Sequence, residues 1–283
     1  MNTAILLLDC PDRKGIVASV ANFLYGHNAN IIHADQHRDD GLGLFFMRVE
    51  WALDDFALGL DEFTAAFAPL AREFGMRWRV EHSSRPARVA LFVSRYLHCL
   101  TDLLHRHQTG ELPCALELIV SNHPDAEPLA RFYEVPFHHI AVDPARKETA
   151  ETEQLALLAA HDVDLVVLAR YMQVLSPRFV AAYPQSIINV HHSFLPAFSG
   201  ARPYHAAYAR GVKLIGATSH YVTEVLDDGP IIEQDVTRIS HRDRLEDLIQ
   251  KGRDLERMVL SRAVRWHLEH RILCYANKTV VFD

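Results

Sequence analysis

Residues 83–121 read SSRPARVALFVSRYLHCLTDLLHRHQTGELPCALELIVS, and their rhythm decides how the rest of the chain is read. Val89–Val93 is a short unbroken apolar run, the length of a strand buried on both faces. A helical stretch follows near Tyr96–Gln108, and a second apolar run at Ala115–Val120 completes strand, helix, strand. The same alternation continues outward, with strands at Leu165–Leu168 and Ser186–Val190 and helices near Ala126–Glu134 and Thr149–His161. Alternating elements of this kind predict a mostly parallel sheet covered on both faces. Leu214–Tyr221 and Ile231–Ile239 add strands, and a long amphipathic helix runs from about Asp243 to Glu269. The polar stretch 83–87, with its single Pro86, reads as a linker. It separates an α/β unit at 88–283 from a smaller unit at 1–82.

The smaller unit has a different order. Ala4–Leu8 is an apolar strand, and DCPDRKG (9–15) is a turn that places Asp12 as a helix N-cap. Ile16, Val17, Val20, Ala21, Phe23 and Leu24 then recur at helical spacing, and Asn28–Asn30 ends the helix. Ile31–His37 and Leu44–Trp51 form a strand pair across RDDGLG (38–43). A second helix over Asp54–Glu73 carries Phe56, Leu60, Phe63, Phe67 and Leu70 on one face, and Met76–Glu81 is a last strand. The order βαββαβ predicts an antiparallel sheet with both helices on one side.

Composition bounds the function. Of 283 residues, 49% are hydrophobic and 23% charged, with 29 Lys plus Arg against 36 Asp plus Glu, a net charge of −7. These proportions exclude a disordered chain, a collagen and a membrane bundle. An acidic chain without a basic tail has no footprint for a nucleic-acid backbone. No run approaches the ~18 apolar residues of a membrane span. Ile5–Leu8 falls short of the ~7–15 apolar residues of a signal peptide. Cys10, Cys99, Cys114 and Cys274 show no metal or disulfide spacing, as expected of free thiols in a reducing cytoplasm. Two counts stand out: 18 His, and only 12 Gly, against a usual frequency of ~7%.

Polar groups converge at one place. In IINVHHSFLPAF (187–198), strand alternation puts Asn189 and His191 on one face, with Val190 and His192 on the other. They sit at the carboxyl end of a strand, where open α/β sheets bind ligands. In HYVTEVLDDGP (220–230), a strand enters a loop bearing Asp227 and Asp228 and turns at Gly229–Pro230.

These residues resemble the folate-dependent formyltransferases and deformylases, in which an Asn-x-His strand and the Asp of a Leu-Asp-x-Gly loop converge on a formyl group. Asn189, His191 and Asp227 match them, and His220 matches a residue close to that site. LARYMQVLSP (168–177) resembles the family's pterin-holding segment. The resemblance implies folate contacts from Met172, Gln173, Val174 and Leu175, with Glu224 and Val225 closing the other side. The chemistry suits the residue types. A formyl amide is attacked through a tetrahedral oxyanion, which an Asn and an imidazolium stabilise while a carboxylate orders the nucleophile.

DRKGIV (12–17) and NANII (28–32), with the element order, resemble an ACT domain, whose amino-acid effectors bind near the first turn; Asp12 and Gly15 are the matching candidates. The implied fold is a ferredoxin-like ACT domain at 1–82, a linker at 83–87 and a Rossmann-like formyltransferase domain at 88–283. Ribonucleotide transferases of this family carry a Gly- and Ser-rich phosphate turn after the first strand of that domain. Here FVSRYLHCL (92–100) has no glycine. With HHSFLP at 191–196 and GARPYH at 200–205, the resemblance is to the formyltetrahydrofolate deformylases. It implies hydrolysis of 10-formyltetrahydrofolate to tetrahydrofolate and formate, supplying purine synthesis and balancing one-carbon folates. The folate is substrate, not cofactor, and no metal is expected. The other expectations are an amino-acid effector and a homo-oligomer, dimer or tetramer, built by pairing of ACT sheets and the last helix. Transfer of the formyl group to an amine is the nearest alternative. An inert regulatory protein is disfavoured by the intact polar three. A metal hydrolase is disfavoured by the lack of H-E-x-x-H, and His267 and His270, read on the final helix, have no carboxylate set of metal type nearby.

Overall fold

The computed structural model describes residues 2–196 and 203–282, and the chain forms two compact units. The first comprises Met1–Arg85 with His270–Tyr275 and Val280–Asp283; the second comprises Pro86–Glu269 with Ala276–Thr279. Most of the last fourteen residues therefore group with the first unit, although their place in the sequence assigned them to the second.

In the first unit β1 (Thr3–Pro11), α1 (Ile16–Gly26), β2 (Asn30–Asp39), β3 (Leu44–Ala52), α2 (Leu60–Phe74) and β4 (Arg77–His82) follow the expected order. The strands lie β2-β3-β1-β4, all antiparallel. Thr3–Cys10 is buried without alternation, so β1 is covered on both faces. Leu6 and Leu8 pack with Ile16, Val20 and Leu24 of α1 and with Phe63 and Phe67 of α2. Ile5, Leu7 and Phe46 face the other way and pack against Leu273, Tyr275, Val280 and Phe282. Those four belong to a terminal hairpin, β12 (Ile272–Tyr275) and β13 (Lys278–Val281), which period-2 reading of the sequence missed. Each large side chain buried there contributes about 1.5–3 kcal/mol.

Two local expectations are corrected. Asp12 is not the cap of α1: Gly15 holds that position with φ +96°, and Asp12 instead pairs with Arg38 at 2.9 Å. The start of α2 is Leu60, not Asp54. Asp55 takes a left-handed turn (φ +63°), and the helix begins only where the Gly59 N–H meets the Glu62 carboxylate at 2.8 Å.

The second unit is the expected α/β layer structure. Its strands are β5 (Ala87–Val93), β6 (Cys114–Ser121), β7 (Phe137–His139), β8 (Leu165–Leu168), β9 (Ile187–His191), β10 (Leu214–Tyr221) and β11 (Ile231–Arg238). The helices are α3 (His98–Gln108), α4 (Glu127–Phe132), α5 (Lys147–Ala160), α6 (Pro177–Ala182), α7 (Pro203–Arg210) and α8 (Leu245–Leu268). Strand order is β11-β10-β9-β8-β5-β6-β7, parallel from β9 to β7 and antiparallel at β10 and β11. The chain winds outward from β5 in both directions, so the switch point lies between β5 and β8. Ligands of open sheets bind at the carboxyl ends beside such a point. Register places Leu168 beside Asn189, and Asn189 beside His220. Three adjacent strands thus deliver their side chains to one spot.

Candidate active site

A cavity of about 510 Å³ lies there, lined by Asn189, His191, His220 and Asp227 together with Arg170 and His192. The hydrogen bonds fix most of its proton positions. His220 Nδ1 lies 2.9 Å from the Tyr221 carbonyl, which can only accept, so Nδ1 carries the proton and Nε2 is bare. Asn189 Nδ2 therefore donates to His220 Nε2 at 3.3 Å, which orients the amide. Burial holds His220 below the ordinary imidazole range, so it stays neutral.

His191 Nδ1 stands 3.2 Å from Asp227 Oδ2, and His220 Nε2 is 3.7 Å from Asp227 Oδ1. The hydrogen bond from His191 holds the Asp227 carboxyl below the usual carboxylate range, against the effect of its partial burial. His191 Nε2 is buried with no hydrogen-bond partner among the described residues. An unpaired buried nitrogen is costly unless something else meets it, and it faces a cavity able to hold a ligand.

The backbone that presents Asp227 is special. Asp227 has φ +56°, a left-handed conformation that Asp tolerates better than most residues. Two residues on, Gly229 runs so close to the Tyr221 carbonyl that any Cβ would collide with it. The Tyr221 N–H donates to the Pro230 carbonyl at 2.9 Å and closes the loop.

Of the residues named for folate contact, Met172, Gln173, Val174, Leu175 and Glu224 line the cavity and Val225 does not. Thr223 Oγ1 donates to the Val225 carbonyl at 3.1 Å, and that tight turn puts Leu226 on the wall instead, leaving Val225 62% exposed. The Met172 N–H is taken by Ser94 Oγ at 2.9 Å, whereas the backbone of Gln173–Leu175 makes no hydrogen bond among the described residues. Asp12 and Gly15 lie in the first unit and take no part in this cavity. Ala197, Phe198 and the Gly200–Arg202 part of the GARPYH motif lie outside the described residues.

His192 departs from its expected place across the strand. β9 ends at His191, so alternation ends too, and the His192 ring stacks on the His191 ring with centroids 5.1 Å apart at 23°. Arg170, which the sequence reading passed over, is 9% exposed with φ +66°. Its nearest sequence signal is position: a charged residue two places after the wholly buried β8, at the ligand end of the sheet. One cluster among the described residues, His98, Cys99 and Glu256, has donor atoms close enough for a metal. Both Glu256 oxygens are already engaged, by Tyr204 at 2.6 Å and His98 at 2.7 Å, and the Arg170 cation stands 3.3 Å away. That surrounding suits a buried carboxylate better than a cation.

Comparison with known proteins agrees with both units. A family model described as "Formyl transferase" matches residues 87–264, and one described as "ACT domain" matches residues 4–65. The chain is 55% identical over 280 residues to a formyltetrahydrofolate deformylase of Synechocystis sp., covering 99% of this chain and 98% of that protein. It is 50% identical over 279 residues to the Bacillus subtilis protein of the same name, covering 98% and 93%. The crystal structure of a formyltetrahydrofolate deformylase from Pseudomonas syringae pv. tomato superposes with a TM-score of 0.97 at 53% identity, covering 100% of this chain and 95% of that one.

Proposed function

We propose a division of labour among Asn189, His191 and Asp227 that starts from a family fact: the chain belongs to the formyltetrahydrofolate deformylases and hydrolyses 10-formyltetrahydrofolate to tetrahydrofolate and formate. Asp227, ionised because His191 bonds to it, orders the attacking water and takes up its proton. The water oxygen bonds to the formyl carbon, and the carbonyl electron pair moves to oxygen. Asn189, whose amide His220 orients, and protonated His191 stabilise that oxyanion. Collapse breaks the C–N bond as His191 Nε2 delivers its proton to the departing folate nitrogen. The product leaves with one oxygen from water and gives its remaining hydroxyl proton to solvent to become formate, while the proton held on Asp227 passes back to His191.

The observation that carries this reading is His191 itself. One ring nitrogen is bonded to a carboxylate, the other is buried and unpaired, and an oriented amide stands beside it on the same strand. Water as the nucleophile is supported by the turn after β5. Ser94 Oγ donates to Asn122 Oδ1 at 2.7 Å and accepts the Met172 N–H, so the turn's hydroxyl is spent inside the protein. Tyr96 lies in the same turn, with the Arg170 and Arg253 guanidinium carbons 5.5 and 5.7 Å from its ring centroid. Asp227→Asn is expected to leave folate binding intact while formate release falls about 10²–10³-fold. Near-normal turnover by that variant sinks the assignment. Formate release that requires an added amine would favour a transferase instead.

The first unit reads as a sensor. An amino-acid effector near Asp12 and Gly15 is supported by the left-handed Gly15 at the first turn and the Asp12–Arg38 pair beside it. A homo-oligomer, dimer or tetramer, is supported by the long edge strand β2, exposed along most of its length with Ile31 and Ile32 outward. Formate released by the reaction would feed purine synthesis. No helix of the described residues is long and apolar enough to cross a membrane. A cytoplasmic site of action agrees with four free cysteines.

A further inference from the structure

We propose that His192 is a second hydrogen-bond donor of the active site, held in one neutral tautomer, and that Arg170 and Glu256 are the positioning pair that holds it there. The inference rests on the hydrolytic reading of the cavity. Arg170 Nη1 stands 2.7 Å from His192 Nδ1. A guanidinium can only donate, so Nδ1 must offer its lone pair and the ring proton must sit on Nε2. His192 lines the cavity, and its Nε2 has no partner among the described residues.

The clamp is built to stay in place. Arg170 is fixed in the left-handed conformation, and its carbonyl accepts the Ser94 N–H at 3.2 Å. Its Nε lies 3.3 Å from Glu256 Oε2. Glu256 is 1% exposed and accepts from Tyr204 Oη at 2.6 Å and His98 Nε2 at 2.7 Å. Burial pushes the Glu256 carboxyl up, but the His98 bond, the Arg170 charge and the Tyr204 bond outweigh it and keep the group ionised. The charged and titratable groups around His192 are Arg170, Glu256, His191 and Asp227, with the Tyr204 ring 6.0 Å away. Burial first, then Arg170, brings His192 down to about 4.

Two stacked imidazoles are thus prepared in opposite ways. His191 has a carboxylate on Nδ1 and can take and return a proton at Nε2. His192 has a cation on Nδ1 and can only donate from Nε2. A fixed neutral donor helps an oxyanion without competing for the proton that His191 must carry. A second imidazolium 5.1 Å away would instead make His191 harder to protonate.

The test compares His192→Leu, which removes the donor, with His192→Gln, whose amide nitrogen can replace Nε2–H without titrating. His192→Leu is expected to lower kcat about 100-fold with KM changed less than about threefold, and His192→Gln to recover to within about tenfold of wild type. Arg170→Met is expected to add an acid-side inflection to kcat/KM near the ordinary imidazole pKa of about 6.5. Nitrogen-15 spectra of the wild-type side chains, which need no substitution, are expected to show His192 Nδ1 unprotonated between about pH 5.5 and 8. His192→Leu at near-wild-type kcat, His192→Gln as slow as His192→Leu, or a protonated Nδ1 overturns the proposal. His191→Asn is the control. If it also keeps full turnover, the hydrolytic reading itself is wrong; if it is inactive while His192→Leu is active, only the role of His192 falls.

Discussion

Gly252→Ala should destabilise the protein, against the usual direction of that change in a helix. Gly252 lies within α8, where alanine is ordinarily favoured by about 0.8–1 kcal/mol. Here the Tyr204 ring rests directly on the glycine, and an added Cβ would overlap its Cζ, Oη and Cε1 atoms. If the ring stays, overpacking costs about 1–3 kcal/mol. If it swings away, it abandons its bond to the buried Glu256 carboxylate, a charged hydrogen bond contributing about 1.5–3 kcal/mol. Only one route is taken, and net of the helical gain either leaves a loss of about 0–2 kcal/mol. For a domain of this size, Tm should fall by about 2–4 °C per kcal/mol. Scanning calorimetry on Gly252→Ala, Tyr204→Ala and the double variant measures the coupling. In the Tyr204→Ala background, Gly252→Ala should become neutral or stabilising. A rise in Tm for Gly252→Ala alone, or an equal loss in both backgrounds, would refute the reasoning.

Two further outcomes follow from the same geometry. His192 titrates near 4 folded and about 6.5 unfolded, so its neutral form favours the fold fully above pH 6.5 and stability is lost as pH falls from there to 4. Denaturant unfolding across that window should show about 2–4 kcal/mol less loss for His192→Gln than for wild type. Gly229→Ala forces its Cβ against the Tyr221 carbonyl and must displace the Asp227 loop. Formate release should drop at least about tenfold, with a smaller change in folate affinity measured by fluorescence.

Much of the architecture was readable because burial repeats locally. The unbroken apolar runs Val89–Val93 in β5 and Leu165–Leu168 in β8 announce strands covered on both faces, and the connecting helices follow. Asn189 and His191 stand out because a polar pair at a strand end leaves a local mark, whereas Asp227 is separated from Asp228 by the resemblance of its loop to a family pattern. The rest depends on partners far away in sequence. Asp12 looks like a helix cap until Arg38, on another strand, claims it. Arg170 looks like the end of an apolar run until Glu256, 86 residues later, receives it. His192 looks like the back of a strand until the strand stops one residue earlier. Val225 and Leu226 exchange roles on a single hydroxyl bond within the loop. The apolar run of β1 reads as a strand, but nothing near it says that its second face is covered by residues 272–282.

That second cover sets a timetable for synthesis. The inner strand β1 and the aromatic Phe46 leave the ribosome early, yet the residues that seal Ile5, Leu7 and Phe46 from water emerge about 190 residues after β4. At roughly 5–20 residues per second, the nascent sheet waits about 10–40 s with one oily face open. During that interval the α/β unit is translated in full. A sheet translated before the α/β unit is therefore completed after it, and a stalled or clipped product lacking β12 and β13 would carry Ile5, Leu7 and Phe46 uncovered into the cell.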